Sequence, residues 1–174
     1  MRPHAISTHQ VGGWRTAIAL VGPMGAGKTT LGWIVSRVLR VQRTDTDLAL
    51  EACLGVRIWQ VFAHLGEWQF RKWEFQVEAC EFAPVNSHGG GIVSLSQCRC
   101  RLRHALCVHL DSSPGDIARN VGASCRERPL YRAFDRSLRA LRDPMYRSSA
   151  TASLPRGGLT APQSACNLLL SVQP

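Results

Sequence analysis

The feature that most constrains this chain is a glycine-rich loop near its N-terminus. Residues 22–29 read Gly-Pro-Met-Gly-Ala-Gly-Lys-Thr, which satisfies the spacing Gly-x-x-x-x-Gly-Lys-Ser/Thr. The apolar run 17–21 before the loop has the composition of a buried strand, and segment 30–39 after it has helical spacing. A strand, a glycine loop and a helix in this order are the context that identifies a phosphate-binding loop.

The loop predicts that the chain binds a ligand that carries phosphate groups. Backbone N–H groups in such a loop, and at the N-terminus of the helix that follows, form a site for anions. The Lys28 ammonium adds a mobile positive charge for the β- and γ-phosphates, and the Thr29 hydroxyl is suited to a Mg²⁺ ion. The residues expected to contact a nucleotide here are Gly25, Ala26, Gly27, Lys28, Thr29 and Thr30.

Length and composition indicate one globular domain behind a short extension. The chain has 174 residues, which is enough for one domain with a sizeable core. Residues 1–15 contain no acidic residue and lack the apolar stretch of a secretory signal, so we interpret them as an N-terminal extension. No apolar run approaches the roughly 20 residues of a membrane helix, and we expect a cytoplasmic protein without membrane contact. The seven cysteines are an odd number, which argues against a closed disulfide framework.

The charge of the chain is strongly positive and is carried mainly by arginine. The formal net charge is +9, and only Lys28 and Lys72 among the 21 basic residues are lysines. A basic excess suits nucleic acid, but it also suits a site for anionic small molecules, because the guanidinium fork binds carboxylates and phosphates bidentately. A third interpretation is that many of these arginines belong to a solvated surface.

The order of elements along the chain predicts an α/β fold. Strands alternate with helices, which is typical of a parallel sheet. Two segments carry weak signals: Pro84 and polar neighbours make 82–88 a poor central strand, and no strand is evident in 151–160. An arginine-rich segment, 122–136, suits a mobile flap. The expected strands are 17–21, 41–45 and 105–110, and the expected helices are 28–40, 46–53, 58–65, 67–82, 96–104, 113–121, 137–141 and 163–172.

Three further groups of residues suggest what the nucleotide is used for. Asp45 and Asp47 follow the first helix, where the next strand is expected to end, and carboxylates there can organise Mg²⁺ and accept a substrate proton. Arg71, within Gly-Glu-x-x-Phe-Arg-x-x-Glu, can bind a substrate carboxylate. The three glycines 89–91 let a substrate approach the backbone closely.

Taken together, these motifs resemble the shikimate kinase family. The resemblance covers residues 17–150, with a weaker trace to 172, and includes Arg-Pro-Leu at 128–130 and Arg-Asp-Pro-Met-Tyr at 142–146. It implies transfer of the ATP γ-phosphoryl group to the 3-hydroxyl of shikimate, in aromatic amino-acid biosynthesis. It also implies a P-loop kinase fold with a central parallel sheet of about five strands and helices on both faces. The domain would span 16–174, with a lid near 119–136, and we expect a monomer.

The resemblance also implies a role for individual residues. Lys28, Asp47 and Arg128 would be catalytic, with Asp47 contacting the shikimate hydroxyls and Arg128 closing over the phosphates from the lid. Thr29 and Asp45 would position Mg²⁺. The residues expected to bind shikimate are Asp47, Arg71, Gly89, Gly90, Gly91 and Arg142, and those expected to flank the adenine are Arg119 and Pro162.

Simpler interpretations of the same residues remain open at this stage. Asp45 or Asp47 would also serve as a helix cap, Arg71 and Glu74 as an ion pair on a helix surface, and the glycines as a flexible turn. Two other functions are also considered. One is a drifted paralogue that binds ATP but turns over weakly or not at all. The other is a basic, nucleotide-regulated nucleic-acid-binding module, against which we note the lack of a recognition helix or an aromatic and basic strand signature. Other small-molecule kinases, such as gluconate kinase, are not expected to carry all three groups of residues.

Overall fold

The chain forms one five-stranded parallel sheet. The computed structural model describes residues 17–80, 83–122 and 130–171. The order of the strands across the sheet is β2-β3-β1-β4-β5, and each neighbouring pair is parallel. The strands are β1 (Ile18–Val21), β2 (Arg43–Asp45), β3 (Val85–Ser87), β4 (Leu106–Asp111) and β5 (Ala152–Pro155).

Helices cover both faces of this sheet, as expected. Alternate residues of β1 point to opposite faces: Ile18 and Leu20 pack in one apolar cluster, and Ala19 and Val21 pack in another. Helices on both sides explain why every residue of β1 is apolar and buried. In the described residues the helices are α1 (Lys28–Leu39), α2 (Thr46–Leu54), α3 (Ile58–Cys80), α4 (Ser96–Leu102), α5 (Pro114–Gly122), α6 (Leu130–Ser149) and α7 (Ala161–Ser171), with a 3₁₀ turn at Ile92–Ser94.

The expectation that 82–88 makes a poor central strand is wrong. Strand β3 lies between β2 and β1 and is fully buried. The Asn86 side chain accepts a hydrogen bond from the Ala83 N–H (3.0 Å) and donates one to the Ala83 carbonyl (2.5 Å). Pro84 lies one residue before the strand, and its carbonyl accepts from the Ile18 N–H at 2.8 Å. The polar residue is therefore satisfied locally, and the proline removes no donor from the strand itself.

The second half of the chain differs from expectation in two places. Strand β5 exists and pairs with β4, with Leu154 buried against the core. Helix α6 begins at Leu130, so residues 130–136 are helical, and the expected helix 137–141 is one part of an element that continues through Pro144. Residues 123–129, the middle of the predicted lid, lie outside the described residues, as does the extension 1–15.

Helices α2 and α3 form a lobe beside the sheet. The two predicted helices 58–65 and 67–82 are one element that is broken at Gly66, whose φ of 74° and ψ of 171° are not helical. A third apolar cluster, with Leu50, Val61 and Phe70 at its centre, joins α3 to α2. Within the described residues no single helix is long and apolar enough to cross a membrane, although the bent pair Thr46–Leu54 and Ile58–Glu78 meets that test jointly.

Candidate active site

The phosphate-binding loop connects β1 to α1 as the sequence predicts. Gly27, with a φ of 88°, precedes the first residue of α1, and no side chain among the described residues caps the N-terminus of that helix. The Lys28 ammonium donates hydrogen bonds to the carbonyls of Gly22 (2.9 Å) and Pro23 (2.8 Å). The uncapped N–H groups and the Lys28 charge therefore lie at the same end of α1, which makes this end an anion site.

Thr29 and Asp45 meet beside the loop. The Thr29 hydroxyl donates to Asp45 Oδ2 at 2.7 Å, although the two residues come from different elements. The other carboxylate oxygen of Asp45 accepts from the Leu48 N–H at 3.3 Å and caps α2. Asp45 is thus a helix cap and also a partner of the loop. A hydroxyl and a carboxylate are hard oxygen ligands of the kind that Mg²⁺ binds, so this pair fits the predicted metal position.

The Asp47 carboxyl has a pKa close to neutral pH. Burial raises its pKa, the nearby Glu74 and Asp45 raise it further, and Lys28 and Arg71 lower it, with a result of about 7. A Cβ on Gly89 would overlap the Asp47 carboxylate and would lie 2.8 Å from Glu74 Oε1. The glycine is therefore required for close packing of the backbone against these acids.

Arg71 is held in the site by two glutamates. Its guanidinium contacts Glu74 Oε2 at 2.6 Å and Glu67 Oε1 at 2.9 Å. The pair with Glu74 has the spacing of a surface ion pair, but Glu74 is only 1% exposed. Burial raises the pKa of Glu74, and Arg71 opposes this rise. Arg71 is therefore positioned inside a cavity, and its role is not that of a solvated charge.

Arg142 reaches the same cavity from α6. Its Nη2 lies 3.7 Å from Glu67 Oε1, the oxygen that Arg71 also contacts. Its buried Nε has no hydrogen-bond partner among the described residues. Glu67 Oε1 thus lies between two guanidinium groups, where a carboxylate is favoured by both charges.

One pocket brings the predicted substrate residues together. It is bordered on one side by Pro23 and Met24 of the phosphate-binding loop. Gly89 is absent from its lining but contacts Asp47 from behind. The predicted residues that line the pocket are Asp47, Arg71, Gly90, Gly91 and Arg142.

The predicted adenine residues are only partly brought together. Arg119 lines a second pocket, on α5 and the loop after β5, and its guanidinium pairs with Asp116. Pro162 is exposed at the start of α7 and does not line that pocket. Arg128 lies in 123–129, outside the described residues.

Sequence reasoning missed several residues of the two pockets. Arg139 and Tyr146 line the first pocket beside Arg142. They lie three residues before and four residues after it, so a helix prediction extended through 146 would have placed all three on one face. Arg156 lines the second pocket and carried no signal, because the strand before it was not predicted.

Comparison with known proteins decides the family. The shikimate kinase family model matches residues 24–172. The shikimate kinase of Salinispora arenicola is 38% identical over 153 residues, which cover 84% of this chain and 91% of that protein. The shikimate kinase of Ralstonia nicotianae is 34% identical and covers 90% and 86% of the two chains. The chain belongs to the shikimate kinase family.

Solved structures agree with this assignment. The shikimate kinase from Acinetobacter baumannii in complex with shikimate superposes with a TM-score of 0.82 at 29% identity, covering 90% of this chain and 92% of that one. The enzyme from Bacteroides thetaiotaomicron gives 0.80 at 28% identity, covering 90% and 99%. Members of the family are ATP-dependent kinases, and the predicted P-loop kinase fold is confirmed. These comparisons give no support to the paralogue or to the nucleic-acid module.

Proposed function

We propose that this chain transfers the γ-phosphoryl group of ATP to the 3-hydroxyl of shikimate and so forms shikimate 3-phosphate. The observation that carries the proposal is the pocket beside the phosphate-binding loop, whose lining includes the guanidinium groups of Arg71 and Arg142 and the carboxylate of Asp47. Arg71 and Arg142 both lie near Glu67 Oε1, and Asp47 lines the same pocket. A small hydroxylated acid suits this pocket, because its carboxylate can bind the arginines and its hydroxyls can bind Asp47.

The two arginines would orient the substrate through its carboxylate. A guanidinium binds a carboxylate through parallel N–H bonds, and two such groups fix the direction of the ring. With the carboxylate held, the hydroxyls of the ring would lie toward Asp47 and the glycines 89–91. Orientation of this kind supplies a large part of the rate in phosphoryl transfer, where the protein performs little covalent chemistry.

Asp47 would receive the proton that the attacking hydroxyl loses. In the transfer step the oxygen of the 3-hydroxyl forms a bond to the γ-phosphorus, the bond from that phosphorus to the β-phosphate oxygen breaks, and ADP leaves. A carboxyl with a pKa of about 7 accepts and returns a proton near neutral pH. The Lys28 ammonium would lie on the nucleotide side and neutralise charge on the phosphates.

The remaining parts of the proposal concern the metal, the lid and the state of the protein. Thr29 and Asp45 would hold Mg²⁺, which supplies neutralisation of phosphate charge when it is bound. Arg128, in a lid near 119–136, would close over the phosphates, and Arg119 with Pro162 would flank the adenine. We further propose a cytoplasmic monomer, with residues 1–15 as an N-terminal extension.

The test is the release of ADP by the purified chain with Mg²⁺ and ATP, with shikimate, with gluconate, or with neither. We expect release that depends on shikimate and is lost in Lys28→Ala, while the circular dichroism spectrum of that variant stays native. Release with gluconate alone, or normal turnover by Lys28→Ala, would refute the assignment. ATP binding without turnover would instead favour the inactive paralogue.

A further inference from the structure

The second pocket contains a buried arginine that the reaction described above does not use. Arg156 follows β5, is only 6% exposed, and lines this pocket with Asp116, Arg119, Asn120, Gly158 and Leu159. Its Nη2 lies 3.2 Å from the position that a Cβ on Gly27 would occupy. The guanidinium therefore packs against the last glycine of the phosphate-binding loop.

This guanidinium is incompletely paired. Its Nε and Nη1 are buried and have no hydrogen-bond partner in the part of the chain that the structure describes. Asp116 is the nearby acid, but its carboxylate already accepts from the Ser113 hydroxyl (2.7 Å), from the Ser113 N–H (3.1 Å) and from Arg119. Burial lowers the pKa of Arg156, and the charge of Asp116 offsets this only in part. A buried cation with unused donors is costly unless a ligand completes its hydrogen bonds.

The surroundings favour an anion as that ligand. The uncapped N-terminus of α1 begins beside Gly27, and its N–H groups attract negative charge. The second pocket is tied to the loop by Asn120, whose amide donates to the Gly25 carbonyl at 3.0 Å. Arg156 thus lines the pocket that contains Arg119 and also contacts the loop that receives the phosphates.

We propose that Arg156 is a nucleotide-binding residue of this chain, whose guanidinium donates hydrogen bonds to the phosphate groups of the nucleotide next to Gly27. The proposal rests on the proposed function only for the identity of the nucleotide. It adds a protein cation to the proposed phosphate ligands Lys28 and Arg128, from a residue outside the pocket that holds Arg71.

A purely structural role for Arg156 makes a different prediction. If the guanidinium only packed against Gly27, its replacement would lower stability and would affect both substrates alike. If it binds phosphate, its replacement weakens the binding of ADP and leaves the binding of shikimate unchanged, because Arg71 and Arg142 lie in the other pocket.

The experiment measures dissociation constants of ADP, pyrophosphate and shikimate by titration calorimetry, in the presence of Mg²⁺ and without turnover. We expect Arg156→Gln to weaken ADP and pyrophosphate binding by about tenfold or more, since a charge-assisted hydrogen bond is lost. Arg156→Lys, which keeps the positive charge, should recover part of this loss. Arg37→Gln removes the same charge from an exposed position of α1 and should bind all three ligands like the wild type.

Three outcomes would overturn the proposal. The first is ADP binding by Arg156→Gln within about twofold of the wild type, and the second is equal weakening of ADP and shikimate. The third is weakened ADP with unchanged pyrophosphate, which would place the contact on the nucleoside. If Arg156→Gln does not fold, Arg156→Met, which also removes the charge but keeps an unbranched side chain, is judged by the same three criteria. Because no measurement requires turnover, failure here is distinct from failure of the shikimate kinase activity.

Discussion

The guanidinium of Arg71 occupies the space in which a side chain on Gly91 would lie. Gly91→Ala therefore has to displace the end of the Arg71 side chain, which also leaves the buried Glu74 without its partner. We expect shikimate binding to weaken by about tenfold, the effect of losing a charged hydrogen bond, and the melting temperature to fall, while ADP binding changes little. Gly115→Ala is the matched control, because its Cβ meets only Ser113 Oγ at 3.7 Å. Unchanged shikimate binding in Gly91→Ala would contradict the role of Arg71.

Removal of Arg71 tests directly whether this residue binds the carboxylate of shikimate. Arg71→Ala should weaken shikimate binding far more than ADP binding, by about tenfold to a hundredfold, because the carboxylate loses a bidentate partner. It should also destabilise the protein, since Glu74 is left buried without its 2.6 Å partner. Calorimetric titration measures the dissociation constants of both ligands, and thermal denaturation measures the loss of stability. Equal loss of both ligands would contradict the carboxylate assignment.

The N-terminal part of the fold was predictable because its sequence signals are local. The run 17–21, the loop 22–29 and the helix after them are fixed by apolar periodicity and by the loop spacing, and the structure confirms all three. Strand β3 was underestimated because Asn86 is satisfied by Ala83, three residues away, which is a side-chain detail that hydropathy does not show.

At the site too, prediction depended on whether the residues in contact are close in sequence. The structure brings Asp47, which lies just after β2, and Gly90 and Gly91, which follow β3, into one pocket with Arg71 of α3. Arg156 could not be found in this way, because its importance depends on a contact with Gly27, 129 residues earlier in the chain. The separation in sequence leaves no periodic pattern, and only the packing of β5 on β4 creates the contact.

Tyr146 holds the backbone of the three glycines 89–91 in place. Its hydroxyl donates to the Gly90 carbonyl, and its ring stacks on His109 with centroids 5.4 Å apart. Tyr146→Phe keeps the ring but removes the donor, which should lower the free energy of unfolding by about 1–2 kcal/mol. We also expect a higher KM for shikimate with an unchanged KM for ATP.

Thr151→Val provides the matched control for Tyr146→Phe. It removes a hydroxyl that accepts from the Cys107 N–H at 3.2 Å, next to the pairing of β4 with β5 and outside the pocket. Urea denaturation should show a similar loss of stability for both variants. If Thr151→Val raised the KM for shikimate as much as Tyr146→Phe, the hydrogen bond to Gly90 would have no specific role.

The raised pKa of Asp47 predicts a pH-dependent cost of keeping this carboxylate in the folded protein. The pKa is about 7 in the folded chain against 3.8 for a free carboxyl. Below pH 4 the group is neutral in both states and costs nothing; above pH 7 it is charged in both, and folding must desolvate the charge. The wild type therefore loses stability, relative to Asp47→Asn, as the pH rises from 4 to 7, by on the order of 3 kcal/mol.

Urea denaturation of the wild type and Asp47→Asn at pH 5 and pH 8 measures this difference. We expect Asp47→Asn to gain stability over the wild type at pH 8 while it loses kinase activity at both values, because an amide cannot accept the substrate proton. Leu48→Gln, an exposed neighbour, controls for a general effect of polar substitution. A stability difference that is the same at both pH values would show that Asp47 titrates normally, and the carboxylate would then be poorly matched to proton transfer at neutral pH.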